Sequence, residues 1–81
     1  MKIKYFAWVK DITNKDYELI EKNIPKNIDN LKNLLILKYP DLKTHVSSNV
    51  LRFAINQEYV STNQILQSGD EVAIFPPVSG G

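Results

Sequence analysis

The sequence predicts an α+β fold in which a mixed sheet of about five strands carries one main helix on one face. Short stretches of alternating apolar and polar residues near both ends of the chain are typical of strands with one buried face. A single amphipathic stretch in the middle is typical of a helix, and groups of turn-forming residues separate these segments. The 81 residues are enough for one domain with one modest core.

The first strand is predicted over residues 2 to 9. Its inward set is Ile3, Tyr5, Ala7 and Val9, and its outward set is Lys2, Lys4, Phe6 and Trp8. This alternation places two aromatic side chains on the face that should meet water. The turn-forming residues 11 to 16 then lead into a second strand around Tyr17 to Ile24.

The main helix is predicted between Asn27 and Pro40. Asn27 is a favourable N-cap residue, and proline cannot continue a helix. One face carries the apolar side chains Ile28, Leu31, Leu34, Leu35 and Tyr39. The next stretch, residues 41 to 45, has the composition of a polar loop, and His45 is expected at the surface.

Three more strands are predicted after the helix. The third covers residues 51 to 55, and Asn56-Gln57 makes a tight turn into a short strand at Tyr59-Val60. The last strand covers Glu71 to Phe75, with Val72 and Ile74 facing in and Ala73 and Phe75 facing out. The order β-β-α-β-β-β, with the helix across one face, predicts the β-grasp arrangement.

Composition excludes several classes of function. Ten basic and nine acidic residues leave a net charge of +1, too little to attract nucleic acid or an anionic membrane. The chain has no cysteine and one histidine, so we expect no disulfide, thiolate nucleophile, metal site or Ser-His-Asp triad. No apolar run approaches the length of a membrane span and no signal peptide is apparent, which favours a cytoplasmic protein.

An outward aromatic patch is predicted from the strand alternation. If the first and last strands are neighbours, Phe6, Trp8 and Phe75 share the face that the helix does not cover. Such a patch is a plausible docking surface for another protein. The alternative is three scattered apolar side chains, which are common on protein surfaces.

The division of the chain is predicted as a domain over residues 1–75 and a flexible tail over residues 76–81. Pro76 and Pro77 cannot donate to a sheet and favour a stiff, extended exit. The tail continues with Val78, Ser79, Gly80 and Gly81, and could reach about 20 Å. A frayed terminus is the alternative interpretation. Two of the three glycines stand at this end, which favours a slim arm whose terminal carboxylate is the reactive group.

A carboxylate does not react with nucleophiles until it is activated. ATP could convert the Gly81 carboxylate to an acyl-adenylate, and a sulfur donor could then form a thiocarboxylate. Because this chain has no side chains suited to that activation, a separate enzyme would be needed. We therefore expect a protein that holds no cofactor of its own and is not catalytic alone.

The segment from Ser68 to Gly81, SGDEVAIFPPVSGG, closely resembles the C-terminus of the small subunits of molybdopterin synthase, the MoaD-type sulfur carriers. Residues 5–11, 31–40 and 55–61 resemble their first strand, helix and central turn. The resemblance covers nearly the whole chain, and its most specific part is the ending Phe-Pro-Pro-Val-Ser-Gly-Gly, in which the family has either serine or threonine before the diglycine.

This resemblance implies a ubiquitin-like β-grasp fold and two protein partners. An activating enzyme that uses ATP would adenylate Gly81, and the resulting thiocarboxylate would donate sulfur to cyclic pyranopterin monophosphate in the active site of the large subunit. The synthase would be a heterotetramer of two small and two large subunits. The family's interface positions correspond to Phe6, Tyr59 and Phe75, and Trp8 is expected to enlarge this patch. The inserted segment corresponds to residues 76–81.

The sequence is also compatible with other functions. The chain could carry sulfur for another pathway, such as the synthesis of thiamine or cysteine. It could also be a ubiquitin-like protein modifier, because a Gly-Gly end permits isopeptide bonds equally well. A purely structural β-grasp module is a further alternative, for which removal of Gly81 should be harmless.

Overall fold

The computed structural model describes residues 1–77, which form five strands and a layer of helices. The strands are β1 (Lys2–Tyr5), β2 (Tyr17–Leu19), β3 (Arg52–Ile55), β4 (Glu58–Val60) and β5 (Glu71–Phe75). The α-helices are α1 (Trp8–Thr13), α2 (Ile28–Lys38) and α3 (Lys43–Ser47), with a short 3₁₀ helix at Pro40–Leu42.

The strands form one mixed sheet in the order β2-β1-β5-β3-β4. The central pair, β1 and β5, is parallel, whereas the other neighbours are antiparallel. A parallel pair cannot be joined by a tight turn, so the chain crosses over between its first and last strands. The predicted β-grasp arrangement is confirmed.

The core lies between the sheet and α2. The strands β1 and β5 contribute Ile3, Val72 and Ile74, and α2 contributes Leu31 and Leu35, all of them fully buried. The predicted N-cap is confirmed, because Asn27 Oδ1 accepts a hydrogen bond of 2.8 Å from the Asn30 N–H. This bond satisfies one of the backbone donors that the first turn of a helix leaves without a partner.

The prediction that the first strand continues to residue 9 is wrong. Just beyond β1, the Phe6 N–H still donates a hydrogen bond of 3.1 Å to the Ile74 carbonyl of β5. Ala7 then has φ 53° and ψ −136°, a conformation that residues with a Cβ rarely adopt, and the chain turns into α1. Val9 is still buried, but from the helix. The alternation of apolar residues continues from β1 through the turn at Ala7, so the sequence pattern alone did not reveal the end of the strand.

Two other local predictions are wrong. The second strand covers only Tyr17–Leu19 and does not extend to Ile24. Residues 40 to 47 are helical instead of a polar loop, because Leu42 and Val46 face the core. Since α3 brings His45 against the core layer, this residue is half-buried and not freely exposed.

The turn between β3 and β4 agrees with its prediction. Asn56 and Gln57 have φ values of 51° and 71°, so both central residues of the two-residue turn are left-handed. This is the turn whose twist matches that of a hairpin. It sets the register that pairs Ala54 with Tyr59.

A half-buried carboxylate joins the edge strand β2 to the end of α2. Glu18 accepts hydrogen bonds from the Tyr5 and Tyr39 hydroxyls and from Lys38 Nζ, the last at 2.6 Å. Burial acts to raise the pKa of Glu18, but these donors outweigh it and hold the pKa at about 2. Burial, followed by the bond to Glu18, raises the pKa of Tyr5, so its hydroxyl remains a donor.

We expect Glu18→Gln to lower the free energy of unfolding at neutral pH and to make it less dependent on pH between about pH 4.3 and pH 2. Because the pKa of Glu18 is about 2 in the folded chain and about 4.3 when unfolded, its contribution is complete above pH 4.3 and is lost as the pH falls towards 2. The free energy of unfolding of the wild type should fall by about 2 kcal/mol over that interval through this group. The measurement is urea unfolding across the pH series. The exposed Glu21, changed to Gln, is the matched control, and an equal acid response in both variants would contradict the assignment.

Candidate docking face

The outer face of the sheet, opposite α2, is divided into a charged half and an apolar half. At the β2–β1 end, Lys4 Nζ lies 3.3 Å from the Glu71 carboxylate and Lys2 Nζ lies 4.6 Å from the centre of the Tyr17 ring. Beyond β5 towards β4, the outward residues are mainly apolar, with the exposed Arg52 at the border beside Phe75. The strand register places Ala73 beside Ala54, and Ala54 beside Tyr59.

The apolar half contains an open groove of about 560 Å³, which we call the docking face. Its lining residues are Phe6, Ala7, Ala54, Gln57, Tyr59, Ala73, Phe75, Pro76 and Pro77. They come from the end of β1, the β3–β4 hairpin and the end of β5. Distant parts of the chain thus meet here because β1 and β3 both pair with β5.

Aromatic rings form the walls of the docking face. Tyr59 and Phe75 have ring centroids 5.6 Å apart with planes inclined at 59°, a favourable tilted arrangement. Tyr59 is 81% exposed and Phe6 is 45% exposed. Large apolar side chains left open to water in one contiguous patch indicate a surface that another molecule covers.

Small residues form the floor of the docking face, and sequence reasoning did not single them out. Ala54 and Ala73 are paired across β3 and β5, and their short side chains leave room between the aromatic walls. Ala7 lines the groove at the turn after Phe6. The strand alternation does predict that residues 54 and 73 face outward. Alanine is too common on strand faces, however, for this pattern alone to identify a groove.

Trp8 is not brought together with the other predicted interface residues. It begins α1, is half-buried against the core, and its ring lies 4.6 Å from the His45 ring between centroids. The expectation that Trp8 shares the outer strand face with Phe6 is wrong, because the turn at Ala7 ends the strand alternation before it.

The predicted tail begins at the rim of the docking face. The strand β5 ends at Phe75, and Pro76 and Pro77 both line the groove. The remaining predicted tail residues, Val78, Ser79, Gly80 and Gly81, lie outside the described residues. The division into a domain over 1–75 and a tail over 76–81 stays a prediction, as do the roles of the tail residues.

The docking face is suited to contact with an apolar surface of another molecule. Residues 1–77 contain no group of three or more histidine, cysteine, aspartate or glutamate side chains arranged to hold a metal ion. In the same range, no helix is long and apolar enough to cross a membrane. The surface that lines the docking face is mainly apolar, and Gln57 and Tyr59 are its lining residues with polar side-chain groups.

The sheet, its single helical layer and its open apolar face define a ubiquitin-like β-grasp domain. The chain belongs to the ThiS family, whose model matches residues 3–81. This match confirms the family resemblance in the sequence and extends over the docking face and the diglycine.

Named relatives agree with the family. The chain is 40% identical over 83 aligned residues to the molybdopterin synthase sulfur carrier subunit of Dictyostelium discoideum, covering 99% of this chain and 94% of the relative. A putative molybdopterin converting factor subunit 1 from Pyrococcus furiosus has a similar structure, with a TM-score of 0.80, 29% identity and 95% of each chain covered.

A complex is also among the similar structures. It contains subunits 1 and 2 of the molybdopterin-converting factor from Helicobacter pylori 26695, with a TM-score of 0.66, 23% identity, and 99% of this chain and 96% of that chain covered. At this level of identity, the similarity shows the fold alone.

Proposed function

We propose that this chain is the sulfur-carrier small subunit of a molybdopterin synthase. The observation that carries the proposal is the combination of full-length similarity to sulfur carrier subunits with an apolar docking face from which the Pro-Pro-Val-Ser-Gly-Gly segment starts. A carrier needs a surface that its partners recognise and an arm that delivers the reacting atom. In this proposal, the docking face is the first and residues 76–81 are the second.

The proposed chemistry takes place at Gly81. An activating enzyme transfers AMP from ATP to the Gly81 carboxylate, with release of pyrophosphate. A sulfur donor then displaces AMP and leaves a thiocarboxylate. In the active site of the large subunit, this sulfur is transferred to cyclic pyranopterin monophosphate, and water hydrolyses the bond between sulfur and the Gly81 acyl carbon, which restores the carboxylate. Both partners use the same arm, so we expect both to cover the docking face, and only one at a time.

The proposed assembly has two small and two large subunits in a cytoplasmic heterotetramer. The large subunit would cover Phe6, Tyr59 and Phe75 while residues 76–81 insert into its active site. Burial of an aromatic cluster at the centre of an interface commonly supplies most of its binding energy. No cofactor is proposed for the carrier, because ATP and the pterin bind to its partners.

The experiment that tests the proposed function is isolation of the chain from its native cells with the proteins bound to it. We expect the synthase large subunit to co-purify, and intact-mass measurement to show a fraction of the carrier with sulfur in place of one oxygen. The control is the same preparation from cells that lack the activating enzyme, in which the sulfur-containing form should be absent.

Other outcomes would identify the alternative functions. Attachment of the chain to lysines of many proteins, with no sulfur-containing form, would indicate a protein modifier. A sulfur-containing form bound to enzymes of thiamine or cysteine synthesis would indicate a carrier for another pathway. Either result would contradict the assignment to molybdopterin synthase.

A further inference from the structure

A second cleft lies next to the docking face, around the β3–β4 edge of the sheet. Its volume is about 450 Å³. The first turn of α2, the start of β3 and the residues that follow β4 enclose it. Its lining is more polar than that of the docking face: apolar residues such as Leu51 and Phe53 share it with Lys32, Asn49, Arg52, Ser61, Thr62 and Asn63.

Two basic residues, Lys32 and Arg52, line this cleft. Lys32 is half-buried, and its Nζ lies 5.7 Å from the centre of the Phe53 ring, which also lines the cleft. Arg52 Nη1 donates a 2.8 Å hydrogen bond to the Asn49 carbonyl. Since a guanidinium group has five N–H donors, this bond leaves most of them for another partner.

The charge of the cleft is not balanced by ion pairs within residues 1–77. In that range, neither Lys32 nor Arg52 lies within salt-bridge distance of a carboxylate. Asp29 is the one acidic residue among the lining residues, and its backbone N–H donates to Asn63 Oδ1 at 2.9 Å. Two positive charges against one negative charge favour an acidic ligand.

The basic cleft is continuous with the docking face. Arg52 pairs with Phe75 in the β3–β5 register, so it lies at the border of the aromatic wall. A shallow depression of about 460 Å³, lined by Arg52, Tyr59, Phe75 and Pro77 among others, connects the two surfaces. A protein that covers Tyr59 and Phe75 therefore comes next to Arg52.

We propose that the synthase large subunit places an acidic segment over the β3–β4 edge, with a carboxylate in the cleft that Lys32 and Arg52 line. This inference rests on the proposed function. Interfaces commonly have an apolar centre and a charged rim, and complementary rim charges select the correct partner and speed association. The apolar docking face would supply most of the affinity, and the basic cleft would supply orientation and specificity.

The test is calorimetric titration of the large subunit with Arg52→Glu, Lys32→Glu and the double variant. We expect each single charge reversal to raise the Kd about tenfold at low salt, and the double variant to raise it further. The differences should shrink between about 50 mM and about 300 mM NaCl, because salt screens charges near the surface. Arg52→Lys should stay close to the wild type.

Lys22→Glu is the matched control, because Lys22 is an exposed lysine that follows β2 at the opposite edge of the sheet. It should change the Kd less than about twofold. Thermal unfolding of each variant verifies that it is folded. If the wild type binds the large subunit and the reversals at residues 32 and 52 change neither the Kd nor its salt dependence, this inference is overturned and the proposed function stands. If the folded wild type does not bind the large subunit, both are overturned.

Discussion

Deletion of Gly81 should abolish molybdopterin formation while leaving the domain folded. In the proposed mechanism, the sulfur is carried on the C-terminal carboxyl group of Gly81. A chain that is one residue shorter would place its terminal carboxyl group too far from the reacting atoms in the partner's active site. Addition of one residue after Gly81 should have the same effect. The measurement is product formation with purified large subunit, activating enzyme, ATP and a sulfur donor, together with the thermal midpoint of each variant.

Ser79→Thr is the matched control for these tail variants. It changes a tail residue two positions before Gly81. The family ending that this sequence resembles has either serine or threonine at that position. It should support product formation near the wild-type rate. An extended chain that still forms product, without being trimmed back to Gly81, would refute the role of the terminal carboxylate.

Phe75→Ala should strongly weaken binding of the large subunit. Phe75 forms a wall of the docking face with Tyr59 and lies where the predicted tail begins. Loss of a central aromatic side chain from an interface commonly costs about 2 to 4 kcal/mol, which corresponds to an increase in Kd of about thirtyfold or more. Because Phe75 is only half-buried in the free chain, the loss of folding stability should be smaller. Titration calorimetry and urea unfolding measure the two effects separately.

Leu37→Ala is the control for Phe75→Ala. Leu37 is a large apolar side chain on α2, 80% exposed, and it belongs to the helical layer on the other side of the sheet. Its truncation should leave the Kd unchanged. If Phe75→Ala unfolds the chain in proportion to its loss of binding, or if Leu37→Ala weakens binding equally, the docking face is wrongly placed.

Local sequence patterns predicted most of the elements correctly. Capping by Asn27 and termination near Pro40 placed α2, and the Asn56-Gln57 turn placed the β3–β4 hairpin. Alternation over β5 identified Phe75 as outward and Val72 as inward. These features depend on hydrogen bonds and side-chain periodicity within a few residues, so they can be inferred before the fold is known.

Errors arose where contacts distant in sequence overrode the local pattern. At residues 6 to 9, apolar alternation continued although Ala7 turns the chain into α1. At residues 41 to 45, polar composition indicated a loop, yet burial of Leu42 and Val46 supports helical structure. In both places, the structure of the segment is determined mainly by the core surface against which it packs. That surface is formed by other helices and strands, so the local sequence does not reveal it.

The sequence by itself determined the fold class, the position of α2, the outward placement of Phe6 and Phe75, and the diglycine that the proposed chemistry requires. Only the tertiary structure decided that Tyr59 joins Phe75, that Trp8 turns away to His45, and that Arg52 and Lys32 share one cleft. The physical reason is that periodicity assigns a residue to a face, whereas strand order and register determine which residues from separate segments meet on that face.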